Sequence, residues 1–411
     1  MSTTPDDVAR AAAATIAVRT PVERSTRLSE RHGAEVLLKR EDLQVGRSYK
    51  VRGAHHLISG LPADELARGV VCASAGNHAQ GVAIACARLG VRGHIVVPGT
   101  TPRQKRERIV QLGGEHVTLS VVGRTYDDAG AAAWAEAERT GATYVHPFDD
   151  PRTIAGQGTV GHELTHQLEV PPDLVVLPVG GGGLAAGVAT WLRATWPGTR
   201  IVGVEPAGAA SMTAALAAGG PVTLPRLDTF VDGASVGRVG DHTFPVVRDL
   251  VDEVVTVEVG AICSEMLALY QVEGVIAEPA GALATAALGT LDLTGVERIC
   301  CVVSGGNNDV SRYAEVVERS LVHEGLRHYF LVSFPQEPGA LRGFLDHVLA
   351  EGEDIVVFEY VKKSNRETGP ALIGIDLDHR DRLPGLQARM AASGLTIEEI
   401  PAGSPLFTFV V

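Results

Sequence analysis

Short apolar runs alternate with amphipathic, helix-like segments over most of the first 300 residues. Four of these runs predict strands between residues 69 and 148: GVVCAS, HIVVPG, HVTLSV and TYVHPF. A later series predicts three more: DLVVLPV, RIVGVEP and RICCVVSGG. Such alternation is typical of parallel sheets with helices on their faces. We therefore expect two interleaved, open parallel-sheet α/β lobes within residues 1–320, with a small lobe at about 50–148 inserted in a large one.

The pattern changes after about residue 325. Four runs there predict strands (YFLVSF, DIVVFEYVKK, PALIGIDL and LFTFVV), and two amphipathic segments predict helices (PGALRGFLDHVL and RLPGLQARMAASGL). Their β-α-β-β-α-β order is typical of a ferredoxin-like domain. Because this segment lacks a cluster of catalytic residue types, we expect residues 326–411 to form a regulatory or assembly domain.

The composition narrows the class of protein. The chain has 411 residues, of which 45% are hydrophobic and 21% charged, as in a globular protein with two or three cores. Its net charge of −13 argues against nucleic acid or an anionic membrane as the main partner. The five cysteines form no CxxC pair and no metal-ligand spacing with histidine. We therefore expect buried thiols in the reducing cytoplasm, and no metal site.

Neither a signal peptide nor a membrane span is predicted. The N-terminus lacks a basic stretch followed by an apolar one. Residues 174–192 carry no charge, but Pro178 and four consecutive glycines would interrupt a spanning helix. We expect a protein with no membrane partner.

Lys50 is the first candidate for covalent chemistry. It follows a strand at Leu37–Arg40 and a polar turn, and apolar residues at helical spacing come after it. With Ser48 as the predicted N-cap, Lys50 lies in the first helical turn, where the helix dipole should lower the pKa of its ammonium group. A lysine that releases its proton easily can form a Schiff base with an aldehyde. Taken alone, such a lysine is more often a solvated surface residue.

The tetraglycine loop is the second candidate. Gly180, Gly181, Gly182 and Gly183 follow a buried strand and open a helix, so their backbone N–H groups can converge on an anion such as a phosphate. Glycine allows this close approach because it has no Cβ. A tight strand-to-helix turn alone would rarely need four glycines.

The same loop also matches a dinucleotide-binding pattern. Gly181, Gly183 and Ala186 satisfy G-x-G-x-x-[GA], and Glu205 ends the next strand, near where a ribose-binding acid is expected. This leaves an NAD-dependent oxidoreductase as a remote alternative. The motif is weak, and nothing in the chain resembles an acid/base pair for hydride transfer.

Two more loops follow strands of the predicted sheets. Ser74, Ala75, Gly76, Asn77 and His78 lie between a strand and a helix, where N–H groups suit a carboxylate and the Asn77 amide can bind a ring hydroxyl. A simple N-cap is equally compatible with this segment, and a histidine such as His78, taken alone, is more often a packed, hydrogen-bonded residue than a catalyst. Ser304 ends the strand CCVV and could hydrogen-bond a ring nitrogen.

Together these four signals describe one ligand. They supply an amine for an aldehyde, a glycine loop for a phosphate, an amide for a phenol oxygen and a hydroxyl for a ring nitrogen. That ligand is pyridoxal 5′-phosphate.

Motifs in a fixed order carry a family resemblance. KREDLQ with SYKVRGA, ASAGNHAQG, GQGT, VGGGGL, EPAGA and VSGGNND occur here as in threonine dehydratases, which are fold-type II (tryptophan synthase β-like) pyridoxal-phosphate enzymes. This match runs from about residue 20 to 316. The tail, FPQEPGALRGFL with KKSNRETGPALIGI, resembles the single ACT-like domain of the short biosynthetic enzymes. Tyr49 stands where the family more often has Phe.

The resemblance implies a role for each candidate residue. Lys50 would hold the cofactor and then act as the base on Cα; Gly180 to Gly183 with Leu184 would hold the phosphate. Asn77 would face the 3′-hydroxyl, Ser304 the pyridine nitrogen, and Ser74 to His78 the substrate carboxylate. Glu278, in EPAGA, would line the cleft without an assigned step. Some relatives place a metal beyond Glu205, but Ser211 stands here at about the position of their acidic residue.

The implied activity is deamination of L-threonine to 2-oxobutanoate and ammonia, the first committed step of isoleucine biosynthesis. Isoleucine is the expected feedback inhibitor at residues 326–411, with valine left open as a second ligand, and a dimer or tetramer is the expected assembly. A serine/threonine dehydratase or a serine racemase-like enzyme remains an alternative, as does a non-catalytic amino-acid-binding protein. Either the cofactor phosphate or Lys50 could protonate the leaving hydroxyl.

Overall fold

The computed structural model describes residues 3–360, 367–402, 404, 406 and 407. The chain forms two compact units, Met1–Asp309 and Val310–Val411. The domain boundaries expected from the sequence, at 1–320, 50–148 and 326–411, stay predictions.

Strands and helices alternate through the first unit and into the second. The strands are β1 (Val22–Arg24), β2 (Glu35–Arg40), β3 (Val70–Ala73), β4 (Gly93–Val97), β5 (Val117–Val121), β6 (Thr143–Tyr144), β7 (Leu174–Pro178), β8 (Arg200–Pro206), β9 (Glu253–Val257), β10 (Arg298–Val303), β11 (Arg327–Pro335), β12 (Glu353–Tyr360), β13 (Thr368–Leu377) and β14 (Thr396–Glu399). The helices are α1 (Pro5–Ala13), α2 (Thr26–His32), α3 (Lys50–Ser59), α4 (Ala63–Arg68), α5 (Asn77–Leu89), α6 (Arg103–Gly113), α7 (Tyr126–Thr140), α8 (Pro151–Gln167), α9 (Gly183–Thr195), α10 (Ser211–Ala218), α11 (Thr243–Leu250), α12 (Val259–Glu273), α13 (Pro279–Ala286), α14 (Tyr313–His323), α15 (Ala340–His347) and α16 (Leu383–Ala392).

Two open sheets form the first unit. The larger has the order β1-β2-β10-β7-β8-β9, in which every pairing is parallel except that of the edge strand β1 with β2. The smaller, β5-β4-β3-β6, is parallel throughout and lies in sequence between β2 and β7. Every residue of β7 and of β3 is buried, as expected for strands covered on both faces. The predicted fold class, two interleaved parallel-sheet lobes, is confirmed.

Glycines bring three helices of the first unit into close contact. A Cβ on Gly156 of α8 would lie 2.6 Å from the carbonyl oxygen of Arg52 in α3, and one on Gly187 of α9 would collide with the carbonyl oxygen of Ile154 in α8. Only a residue without a side chain allows helix backbones to approach this closely. The GQGT motif, which begins at Gly156, is therefore part of the packing that fixes α3, the helix that carries Lys50.

The second unit is a four-stranded antiparallel sheet of order β12-β13-β11-β14. With α15 and α16 between its strands, it has the predicted ferredoxin-like topology. Its core is built from apolar residues of β11, β13 and the two helices, including Phe330, Ile373, Phe344 and Leu386.

The last predicted strand is wrong where the structure describes it. The fourth strand of the sheet is Thr396–Glu399, which pairs with β11, whereas Leu406 and Phe407 are not in a strand. Residues 408–411 of that prediction lie outside the described residues, as do 361–363 at the end of the predicted DIVVFEYVKK strand. The sequence TIEE lacks an apolar run because this edge strand is only half-buried, and periodicity therefore missed it.

Local chemistry explains smaller differences in the first unit. Helix α7 begins at Tyr126, because Thr125 and Asp128 form a reciprocal capping box. The uncharged stretch 174–192 is strand β7, the glycine loop and helix α9. In the part of the chain that the structure describes, every helix is too short or too polar to cross a bilayer.

Candidate active site

Lys50 is the first residue of α3, as predicted, but Ser48 does not cap this helix. The N-cap position belongs to Tyr49, and no side chain caps it. Ser48 instead forms a β-bridge with Gly305, and the Tyr49 N–H donates to the carbonyl of Ser304 at 3.2 Å. The turn before Lys50 is therefore held by the loop after β10. Two of the predicted motifs, SYK and VSGG, lie side by side.

The Lys50 amine has one backbone acceptor, the carbonyl of Pro147, at 3.0 Å. Burial lowers the pKa of this amine to about 8, and the nearby charge of Glu278 opposes the shift. The direction agrees with the sequence-based expectation, but the main cause is the loss of solvent rather than the helix dipole. Near pH 8 a large share of the amine is therefore neutral and able to react with an aldehyde or take a proton.

The glycine loop forms the turn from β7 into α9. Gly182 is the N-cap with φ of +92°, a conformation that favours glycine. A Cβ on Gly183 would lie 3.0 Å from the backbone of Phe148, and one on Gly181 would overlap the Phe148 ring. The Thr243 hydroxyl donates to the Gly181 carbonyl at 2.6 Å and so braces the loop. This bare backbone at a helix N-terminus is suited to an anion.

Lys50 and the glycine loop line one cavity of about 880 Å³. Gly180 to Gly183 and the buried Leu184 come from the large lobe, and aromatic side chains of the small lobe stand opposite them. Among these aromatics, Trp134 and Tyr144 stack with ring centres 4.0 Å apart. Lys50 and the glycine loop, which the sequence predicted separately, therefore line the same cavity.

The loop from Ser74 to His78 lies next to Lys50 rather than among the lining residues of that cavity. Helix α5 begins at Asn77, and a Cβ on Gly81 in its second turn would be 2.9 Å from the backbone nitrogen of Val51. The Ser74 hydroxyl accepts the N–H of Gly76 at 3.2 Å, which shapes the loop. The N–H groups of the first turn have no partner within the helix, which suits a carboxylate.

His78 is neutral. Its Nε2 is hydrogen-bonded to the carbonyl of Val145 at 2.8 Å, and burial, with the charge of Lys50, lowers its pKa to about 3. This histidine therefore has the properties of the packed, hydrogen-bonded residue that the sequence favours over a catalyst.

Glu278 is linked directly to Asn77. The Asn77 Nδ2 donates to Oε1 of Glu278 at 2.5 Å. Burial, and then the charge of Asp232, raise the pKa of Glu278 to about 7. Asp232 lines the cavity and pairs with Lys105 of the small lobe at 2.7 Å. A carboxyl group whose pKa lies near neutrality is therefore bonded to Asn77 and acts electrostatically on Lys50.

Ser304 is buried at the end of β10, and its hydroxyl donates to the carbonyl of Ala280 at 3.2 Å. The side chain is uncharged, so it offers a ring nitrogen a hydrogen bond but no counter-charge. Ser304 is near Lys50 in space through the Tyr49 backbone bond described above, but it does not line the 880 Å³ cavity.

Glu205, the acid of the dinucleotide alternative, has another use. Its carboxylate accepts the backbone N–H groups of Met212 at 2.6 Å and Thr213 at 2.8 Å, and so caps helix α10. Both carboxylate oxygens are occupied, which removes the ribose contact that this alternative needs. Within the described residues there is no group of three or more His, Cys, Asp or Glu side chains that could hold a metal ion.

The residues present fit pyridoxal phosphate. The glycine loop is a cradle that a Cβ would fill, and the amine of Lys50 reaches the same cavity. An amide, Asn77, and an uncharged hydroxyl, Ser304, lie beside that lysine and supply the remaining donor types. Lys39 is the lysine nearest to Lys50 in sequence. It is fully buried and hydrogen-bonded to Thr20, Glu163 and Gln167, so it cannot compete for an aldehyde.

Comparison with known proteins agrees with this donor set. Residues 14–305 match the family described as "Pyridoxal-phosphate dependent enzyme", and residues 318–410 match "C-terminal regulatory domain of Threonine dehydratase". The chain is 58% identical to L-threonine dehydratase biosynthetic IlvA of Mycobacterium tuberculosis, over 98% of this chain and 95% of that protein. The chain belongs to the family of biosynthetic L-threonine dehydratases.

Solved structures support the same assignment. Threonine deaminase isoform 2 from Solanum lycopersicum, in its processed form, is 40% identical with a TM-score of 0.73, covering 78% of this chain and 96% of that one. Maize serine racemase is 35% identical with a TM-score of 0.72, covering 79% and 99%. The protein is therefore a pyridoxal-phosphate-dependent enzyme with a C-terminal regulatory domain.

Sequence reasoning missed several neighbours of the site. Phe148 packs over the glycine loop, Thr243 braces it, and Asp232 acts on Glu278; none of them belongs to a motif used in the prediction. Glu278 was named, but its bond to Asn77 was not foreseen. Asn307 belongs to the VSGGNND motif, but no role was predicted for this residue. The motif was the only signal in the sequence that pointed to it.

Proposed function

We propose that this enzyme eliminates water from L-threonine to give an enamine, which then takes up water and releases ammonia to give 2-oxobutanoate, and that it supplies isoleucine biosynthesis with that product. The single observation that carries the proposal is the position of Lys50. Its amine, with a pKa lowered by burial to about 8, shares one cavity with the glycine loop. An amine that is partly neutral at working pH can both hold an aldehyde and act as a base.

The roles of the chain's own groups follow from their chemistry. Lys50 would hold the cofactor through its amine and, when that amine is free, would take the proton from the substrate Cα. Bound pyridoxal phosphate supplies an aldehyde that condenses with amines and a ring that accepts the electron pair left at Cα. The backbone of Gly180 to Gly183, with that of Leu184, holds the phosphate at the start of α9.

Three further groups orient the reactants. Asn77 would donate to the ring hydroxyl, and the segment from Ser74 to His78, which leads into α5, would hold the substrate carboxylate through backbone N–H groups. Ser304 would offer the ring nitrogen a hydrogen bond without a charge. With no carboxylate beside it the ring nitrogen would be less firmly protonated, which would favour elimination over transamination.

Replacement of the lysine tests the proposal. Lys50→Ala should abolish 2-oxobutanoate formation, since both the attachment point and the base are lost, and the protein should no longer carry a chromophore that borohydride reduces. Lys105→Ala, which removes a different amine of the small lobe, should keep the chromophore. A reducible chromophore in the Lys50→Ala protein would place the attachment at another lysine and contradict the proposal.

Serine is the substrate of the second candidate function. The 35% identity to maize serine racemase favours this alternative, since that protein shares the fold over 79% of this chain. The kcat/KM values for L-threonine and L-serine, with a chiral assay for D-serine, separate the two. We expect threonine to be preferred and D-serine to be absent; a higher kcat/KM for serine would favour the second candidate.

Isoleucine is the proposed effector, bound by the second unit, with valine as a possible opposing ligand. The match to the C-terminal regulatory domain of threonine dehydratase supports this assignment. Isoleucine should inhibit the full chain, and removal of residues 326–411 should leave threonine turnover without inhibition. Full isoleucine sensitivity in the shortened protein would contradict the assignment.

We further propose that the enzyme is a cytoplasmic homo-oligomer, a dimer or a tetramer. All five cysteines are buried and free of disulfides, which suits a reducing compartment. Light scattering with size-exclusion chromatography measures the assembly, and a monomer at micromolar concentration would contradict it.

A further inference from the structure

The amide of Asn307 lies between two fixed partners beside the candidate cofactor site. Its Nδ2 donates to the carbonyl of Gly46 at 2.7 Å and to Oδ1 of Asn77 at 2.8 Å. Neither Asn307 nor Gly46 has a role in the function proposed above. The pair of bonds nevertheless decides which end of the Asn77 amide faces which neighbour.

The direction of the chain of amides follows from the chemistry of its first member. A backbone carbonyl can only accept, so the NH₂ end of Asn307 must face Gly46. The second hydrogen of that NH₂ is then donated to Asn77, which must accept it through its Oδ1. The NH₂ of Asn77 is therefore turned the other way, where one hydrogen meets Glu278 at 2.5 Å and the other is directed away from Asn307.

The Gly46 carbonyl is itself held in place. Gly46 has φ of +75°, and a Cβ there would be 2.6 Å from Ile84. Arg47, which follows, has φ of +58° and is the one non-glycine residue with positive φ in the described part of the chain. The Arg47 carbonyl accepts the N–H of Gly306 at 2.9 Å, so the turn is fastened to the loop that carries Asn307. A strained turn held from both sides keeps its carbonyl in one direction.

We propose that Asn307 is a positioning residue which fixes the Asn77 amide so that its N–H, rather than its oxygen, faces the ring oxygen of pyridoxal phosphate. The inference rests on the proposed function only in placing Asn77 at that oxygen. A reversed Asn77 would present an acceptor to the ring oxygen and to Glu278 alike, and two acceptors in contact repel unless one carries a proton.

The orientation matters because the ring oxygen of the cofactor carries negative charge in its long-wavelength form. An N–H donor stabilises that charge, and a lone pair in the same place destabilises it. The ratio of the visible band to the near-ultraviolet band of the bound cofactor therefore reports which end of Asn77 is presented. This readout does not depend on turnover.

Asn307→Asp is the sharpest test, because it replaces the NH₂ that sets the direction with an acceptor of the same size. The carboxylate repels both the Gly46 carbonyl and Oδ1 of Asn77, so Asn77 should turn its NH₂ toward residue 307. We expect the visible band to fall relative to the near-ultraviolet band, and the dissociation constant for pyridoxal phosphate to rise about tenfold.

Asn308→Asp is the matched control. It makes the same chemical change one residue later, where the amide donates to the carbonyl of Ala277 at 2.9 Å. This variant should keep the band ratio of the unsubstituted protein. An equal change in the two variants would mean that added charge, and not amide direction, moves the spectrum, and would overturn the inference.

Asn307→Ala covers the case in which the aspartate variant does not fold. Without the Asn307 donor only Glu278 still favours the native orientation of Asn77, so the band ratio should lie between those of Asn307→Asp and the unsubstituted protein. An unchanged ratio and dissociation constant in Asn307→Ala would overturn the inference. If the unsubstituted protein formed no visible band with pyridoxal phosphate, the proposed function would fail instead.

Discussion

Lys50 and Arg52 stand two residues apart on the first turn of α3, and the protein treats their charges in opposite ways. The Lys50 amine reaches a cavity where it meets one neutral carbonyl, and its pKa falls to about 8. Arg52 is 1% exposed and meets two carboxylates. Burial lowers the pKa of Arg52 too, but the charges of Glu41 and Glu163 outweigh it and hold the pKa above its ordinary value.

The contrast shows that the charges of two bonded carboxylates outweigh the effect of burial on the pKa of Arg52, whereas the charge of Glu278 offsets it only in part at Lys50. Arg52 forms a two-point pair with Glu41 at 2.7 and 2.8 Å and a third bond to Glu163 at 2.7 Å. Lys39 bonds the other oxygen of Glu163 at 2.6 Å, so two cations and two carboxylates neutralise each other. This buried cluster ties α3 to β2 and α8, and it leaves the next side of the same helix free to present a reactive amine.

The largest expected effect comes from removing the fixed charge. Arg52→Met removes the ion-pair partner of the buried Glu41 and leaves the partly buried Glu163 with Lys39 alone, and this should lower the free energy of unfolding by about 3–5 kcal/mol. Denaturant unfolding measures it. Arg103→Met, which removes the arginine of an exposed pair with Glu107, should leave the stability nearly unchanged. Equal stability in the two variants would show that the buried cluster does not anchor the helix.

A side chain added to the glycine loop should have the next largest effect, on cofactor binding in the cavity that Lys50 reaches. Gly181→Ala places a Cβ against the Phe148 ring and should weaken pyridoxal-phosphate binding roughly 10- to 100-fold, as measured by fluorescence titration. Phe148→Ala in the same protein should recover part of the loss, because it removes the colliding ring. Gly198→Ala, where a Cβ would meet open space, is the control. Unchanged binding in Gly181→Ala would refute the role of the bare backbone.

A smaller effect sharpens the account of the Lys50 proton. The negative charge of Glu278 stabilises the Lys50 ammonium, so Glu278→Gln should lower the pKa of Lys50 further. The rate at which cofactor-free protein captures pyridoxal phosphate should rise with pH through about 8, and in the variant its midpoint should move to lower pH by about one unit or less. A midpoint that stays in place or moves upward would show that Glu278 does not act on Lys50.

Ser304→Asp should have the smallest effect on binding, but should change the outcome of the reaction. A carboxylate at this place would keep the ring nitrogen protonated and stabilise the charge left at Cα. The fraction of turnovers that end in transamination, measured as cofactor released in its amine form, should rise. An unchanged partition between elimination and transamination would contradict the role given to an uncharged Ser304.

The sequence indicated the elements whose signals are local. The tetraglycine run, Lys50 at the start of a helix and the alternation of buried strands can each be read from neighbouring residues, and each has the predicted secondary structure. The prediction that Ser48 is the N-cap of α3 is wrong, because Ser48 forms a long-range β-bridge with Gly305 instead. The sequence did not indicate the main cause of the Lys50 pKa shift, because desolvation depends on what tertiary packing places around the amine.

The sequence did not predict the contacts between distant segments of the chain. Glu278 and Asn77 are separated by 201 positions, and Asn307 and Gly46 by 261. No spacing rule predicts such pairs. Lys39, Glu41 and Arg52 appear along the chain as ordinary charged residues, and only the structure shows that they lie at the same buried point. The roles of the candidate residues stay predictions until variants are measured.

The central claim is that Lys50 is the residue to which the cofactor is attached. The chain has only five lysines, Lys39, Lys50, Lys105, Lys362 and Lys363, so borohydride reduction of the coloured protein followed by peptide mass mapping identifies the site without ambiguity. We expect the reduced pyridoxyl group on Lys50, and bleaching of the visible band when threonine is added before reduction. A label on any of the other four lysines, or a protein that stays colourless with pyridoxal phosphate, would contradict the account.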